Sequence, residues 1–196
     1  MKIKPITGMT VLCLVTAGLA PPAVRAAAPR NVTNTGAPYV WNNANPIGYN
    51  IDQGPLGTLS NAKATTLVET AFQQWSSIST AKLTFQEGDP LDRDVTGANA
   101  ADFFNGLPSD VNPVIFDNDG SVIDGFLGGG ASESVIAFGG PYRSTPTGTI
   151  AQGIVVINAR AEDGLFGPDD LTPNDLTRAV VRAIGQMLGV GSSDTN

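Results

Sequence analysis

Histidine is absent from all 196 residues of the chain. That absence removes the imidazole ligands of most catalytic zinc sites and the general base of every serine–histidine triad. A serine–lysine arrangement could draw only on Lys63 and Lys82 beyond the N-terminal region. Lys63 falls on the first turn of an amphipathic helical pattern and Lys82 beside a short strand, so both are expected to be solvated. Cysteine is nearly absent as well: Cys13 is the single copy, which leaves no disulfide framework. Cations are scarce, with 11 Lys and Arg against 18 Asp and Glu and a net charge of −7. A surface of that sign is unsuited to nucleic acid. No apolar run reaches the roughly 20 residues that span a bilayer.

What is present begins with a targeting pattern. Lys2 and Lys4 precede an apolar stretch from Met9 to Ala20 and a small-residue run, Ala26-Ala27-Ala28. Residues 1–28 therefore read as a cleaved secretory signal, cut after Ala26 or Ala28. Val11-Leu12 before Cys13 does not match a lipoprotein signal. Cleavage removes Lys2, Lys4 and Arg25 but no acid, carrying the net charge from −7 to −10. The expected location is extracellular or periplasmic, with no membrane attachment after cleavage. Residues 29–38, rich in Pro, Gly, Asn and Thr, read as a flexible lead-in. Asn31-Val32-Thr33 fits a glycosylation sequon. Residues 39–196 are sufficient for one domain.

Within that domain, Ile47, Tyr49 and Ile51 alternate as one face of a strand. Ser60 is a candidate N-cap for a helix reaching about Ile78, with Leu67, Val68, Ala71, Phe72, Trp75 and Ile78 on one stripe. Leu83–Phe85, Val114–Phe116, Ser134–Phe138 and Ile154–Ile157 are further strand candidates, and an acidic, glycine-rich crossing joins residues 87–112. Thr172-Pro173-Asn174-Asp175 opens a second helix with a capping pattern and Pro at its first position. Leu176, Val180, Ile184, Met187 and Leu188 form its core stripe, and Gly189 ends it. Trp41 and Trp75 lie on apolar stripes and are expected in the core rather than in a ligand groove. No internal repeat is present.

Residues 181–192 read V-R-A-I-G-Q-M-L-G-V-G-S. This run resembles the H-E-x-x-H-x-x-G-x-x-H helix of metzincin zinc proteases, with Arg182, Ala183, Gln186 and Ser192 at the four functional positions and Gly189 at the conserved turn. I-G-Y-N-I-D (47–52), A-F-Q-Q-W (71–75), L-T-F (83–85), V-I-F-D-N-D-G-S-V (114–122) and G-I-V-V-I-N (153–158) are similar, in the same order, to secreted bacterial matrixin-type enzymes. The resemblance implies an α/β (α+β) fold, a twisted mixed sheet flanked by two long helices. It also implies a lower subdomain carrying a methionine turn, before which this sequence stops. A guanidinium, a methyl, an amide and a hydroxyl replace the ligands and the glutamate, so zinc is not expected and the chain reads as an inactive metallopeptidase homologue.

Asp117-x-Asp119-Gly120 with Asp124 resembles a calcium loop, a use of calcium that the family also implies. The alternative is a solvated turn whose acids cap nearby amides. Asp169-Asp170 suits the charge preference before a helix better than sugar hydrolysis, and Gly128-Gly129-Gly130 reads as a loop. Three functional readings follow. One is a pseudoprotease that binds a peptide or a protease inhibitor along an edge at Ser134, Val135, Ile136, Ala137 and Phe138. A second is a non-functional gene remnant with exposed apolar surface. The third is an active zinc endopeptidase with atypical ligands around Asp194. Oligomeric state is left open.

Overall fold

Alternation and β-branching decide where the chain extends, and the six extended segments join one sheet. The computed structural model describes residues 28–106, 108, 110–162 and 172–191. In chain order the elements are β1 (Val40–Trp41), β2 (Ile47–Ile51), α1 (Asn61–Ser76), β3 (Phe85–Glu87), α2 (Ala100–Gly106) and β4 (Pro113–Asp117), followed by α3 (Ser121–Leu127), β5 (Ala137–Ser144), β6 (Thr149–Asn158), α4 (Ala159–Glu162) and α5 (Pro173–Met187). Strands β6, β4, β2 and β3 are parallel neighbours in that order. Strand β5 runs antiparallel along the other side of β6, and β1 makes a short parallel contact with the start of β6. The molecule is thus α/β with a mostly parallel sheet.

The two-residue period of the strands divides the core. Val114, Phe116, Val155 and Ile157 pack on one face with Ile47, Tyr49 and Ile51, under Val68 and Phe72 of α1 and Val180, Ile184 and Met187 of α5. Ile115, Ile154 and Val156 point to the opposite face, where Leu91, Val95, Phe104, Val122 and Ile123 cover them. Both faces are therefore closed, as a parallel sheet requires. The residue 87–112 crossing, for which the sequence pattern signals no helix, contains α2 and supplies much of the second cover. Helix α3 adds to it.

Several boundaries differ from the sequence expectation. β3 is Phe85–Glu87 rather than Leu83–Phe85, because Phe85 pairs with Ile47 at the start of β2. Helix α1 stops at Ser76, leaving Ile78 beyond its end and 41% exposed. The Ser60 hydroxyl makes no capping bond. The expected strand at Ser134–Phe138 begins only at Ala137 and continues to Ser144. Residues 131–134 instead turn in a short 3₁₀ segment, and Asn158 Nδ2 holds the Ser132 and Val135 carbonyls. No helix among the described residues is long and apolar enough to cross a membrane.

Candidate functional site at the junction of α5 and β5

Helix α5 starts where its sequence directs. Thr172 Oγ1 accepts the Asp175 N–H at 3.3 Å and Asp175 Oδ2 accepts the Thr172 N–H at 2.9 Å, with Pro173 in the first turn. It ends at a left-handed glycine, Gly189, with φ 89°. Between these stops both indoles tie it down: Trp75 Nε1 donates to the Val181 carbonyl at 2.8 Å and Trp41 Nε1 to the Met187 carbonyl at 3.1 Å. Both tryptophans also pack against the main core.

The helix approaches the sheet closely enough to dictate residue size. A Cβ at Gly139 of β5 would run into the Ala183 carbonyl oxygen. A Cβ at Gly185 would lie 2.5 Å from Trp75 Cζ2. Gln186 then reaches the strand, its Oε1 accepting the Gly139 N–H at 3.1 Å. The Gly139 carbonyl accepts Arg30 Nη1 at 2.8 Å.

Of the four positions set against the resembled motif, Arg182 and Gln186 stand one helical turn apart on a shared side. Arg182 is exposed, Ala183 is buried beneath the helix and Gln186 is half-buried. Ser192 lies outside the described residues, as do Asp169, Asp170, Asp194 and nearly all of the expected signal segment. A zinc ion finds no donor set in a guanidinium, a methyl and an amide oxygen already engaged by a backbone N–H, so the described residues do not fit it.

The three calcium candidates serve backbone amides. Buried Asp117 accepts the Val122 and Ile123 N–H groups at 3.3 and 2.8 Å, opening α3; burial raises its pKa. Asp119 accepts the Ser121 N–H at 2.9 Å and the Ser121 hydroxyl, and these bonds hold its carboxyl below the usual range. Asp124 turns to the Ser132 N–H at 2.8 Å. That amide, then the Gly130 amide, the Ser132 side chain and the Arg160 charge, hold its carboxyl below the usual range. Among the described residues no group of three or more His, Cys, Asp or Glu is placed to hold a metal ion. The capping geometry and the nearby Arg160 fit a dication poorly.

Of the expected peptide edge, Ala137 and Phe138 lie in β5, while Ser134, Val135 and Ile136 belong to the turn before it. The Ile136 carbonyl accepts the Asn158 N–H, and Phe138 packs in the second core. The outer edge is instead presented from Ala137 to Ser144. Lys63 and Lys82 are both exposed. Lys63 helps to line a cleft of about 350 Å³ between α1 and α5, near Pro173 and Thr177.

Arg30 is the site residue that sequence reasoning missed. The lead-in segment expected to be mobile is tied down at Arg30, whose N–H donates to the Gly189 carbonyl at 2.8 Å. Nothing in its Pro- and Asn-rich surroundings signals that contact. Comparisons with protein-family models, with curated proteins and with solved structures return no match.

Proposed function

We propose that the protein is an exported, catalytically silent scaffold of the matrixin-like metzincin type. It binds an extended peptide, or the extended loop of a protease inhibitor, along the outer edge of β5. The observation that carries the silent-scaffold part of this reading is the bond from the Gly139 N–H to Gln186 Oε1. A side chain at a ligand position of the resembled motif is built into the wall between helix and edge strand instead of facing a metal.

The outline of one sheet with long helices α1 and α5 on one face, and an antiparallel strand at its edge beside α5, supports the resemblance. Strand addition uses main-chain N–H and C=O groups; at Gly139 both are engaged, by Gln186 Oε1 and Arg30 Nη1, so an added strand pairs beyond Gly139 or displaces Arg30. With no imidazole in the chain and Ala183 at the glutamate position, neither a ligand set nor a base for water activation is available at this helix. The gene-remnant reading expects exposed apolar surface under α5. Leu176, Val180, Ala183, Ile184 and Met187 are each 4% exposed or less, which counts against it.

The test is hydrogen exchange across Ala137–Ser144 in the exported chain, with and without a library of extended peptides at millimolar concentration. Protection of β5 amides by some members, with every peptide recovered uncut in the presence of zinc, is the expected result. Zinc-dependent cleavage would overturn the reading, as would unchanged exchange with every peptide.

A further inference from the structure

We propose that the notch between the β5 edge and the turn after α5 is a binding site for small-Pro-Arg peptide segments, held in cis by residues Ala28–Arg30 of the chain cut after Ala26 rather than after Ala28. This inference rests on the edge-binding reading above and names its ligand chemistry. The segment pairs antiparallel with the turn: the Arg30 N–H donates to the Gly189 carbonyl and the Gly191 N–H to the Ala28 carbonyl, each at 2.8 Å, around a bridge between Pro29 and Val190.

In that bridge the hydrogen bonds come from the residues flanking the central pair. Position 29 therefore requires no donor, and proline fits there while stiffening the extended strand. Arg30 then crosses to β5, where its guanidinium donates to the Gly139 carbonyl at 2.8 Å. A Cβ at Gly140 would lie 3.5 Å from Arg30 Cζ, in contact with the guanidinium.

Glycine keeps the walls low where the segment lies. A Cβ at Gly191 would sit 2.5 Å from the Ala28 oxygen. The notch thus reads three features together: a small residue whose carbonyl accepts the Gly191 N–H at the first position, an extended residue without need of an N–H at the second, and a planar multi-donor cation at the third. Residues 31–39 tether the segment to β1. Short tethers give effective concentrations of order millimolar. The cis segment consequently shields the Gly139 carbonyl from any peptide of weaker affinity.

The test compares the chain beginning at Ala27 with its Arg30→Ala variant, titrated with the fluorescent peptide Ala-Pro-Arg-Asn-Val and a control carrying Ala in place of Arg. Vacating the guanidinium site is expected to tighten binding of the Arg peptide by about tenfold or more, with no gain for the control. Equal affinity of the Arg peptide for both chains overturns cis occupancy while leaving edge binding intact. Binding of every extended peptide by neither chain overturns both claims. Hydrogen exchange supplies an independent readout: the Arg30 and Gly191 amides are expected to be protected in the parent chain. Exchange at the unprotected rate overturns the cis contact whatever the peptides do.

Discussion

Asp52, just after β2, is a residue 1% exposed whose carboxylate accepts N–H groups from Phe116 at 3.0 Å, Val95 at 3.1 Å and Gly54 at 3.4 Å. Burial outweighs those bonds and pushes its pKa up to about 6. A carboxyl whose folded pKa exceeds its unfolded value makes the folded state the better proton binder between them. Its contribution is therefore fullest below about pH 4 and is lost as pH rises through about 6, a change of roughly 3 kcal/mol. Asp117, also raised by burial, acts in the same direction. Urea unfolding of the parent chain and of Asp52→Asn across this range should show a shallower loss of stability for the variant; parallel curves would contradict the assignment. Gly139 carries a second prediction at this scale. Gly139→Ala forces α5 away from β5 and should cost about 2–4 kcal/mol in the same assay, whereas a cost within about 0.5 kcal/mol would mean the helix gives way freely. The acids of the 117–124 turn carry a third: calcium or chelator should move the melting temperature by less than about 1 °C, and a larger rise abolished in Asp119→Ala would establish an ion.

Helix α5 shows what a sequence pattern carries well. Its cap, its proline and its apolar stripe are all local signals, and Thr172→Ala should cost about 1 kcal/mol in thermal unfolding because the capping box is formed; no change would mean the helix start is held from elsewhere. Strands β2, β4 and β6 were legible for the same reason, through alternation or continuous β-branching. Helices α2 and α3 were not. Each has only seven residues, too few for a helical period, and α3 contains Gly125 and begins at acids that suggested an ion loop. Strand β5 was misplaced because Gly139-Gly140-Pro141 reads as a turn. Its glycine at 139 answers to the Ala183 carbonyl, a constraint that comes from another element.

For the molecule as a whole, the two-helix cover on one face was legible, and the second cover on the opposite face was not, because it is assembled from short segments between residues 91 and 123. The candidate site divides the same way. That Arg182, Ala183 and Gln186 make no zinc-ligand set is visible in the letters alone; the use of Gln186 to hold Gly139 and the arrival of Arg30 at the same residue depend on long-range packing. The match of Ile184, Gly185, Met187 and Gly189 to the resembled pattern also has a physical reason. Ile184 and Met187 are buried, Gly185 receives Trp75 and Gly189 adopts φ 89°, so each serves the fold independently of catalysis. The central claim is the proposal that this helix holds the edge strand in place of a metal. The most direct test is the zinc content of the chain beginning at Ala27 after equilibration with zinc and gel filtration, measured together with peptide cleavage. The account predicts a chain free of zinc that leaves peptides intact; stoichiometric zinc, lost to chelator along with a cleavage activity, would contradict it.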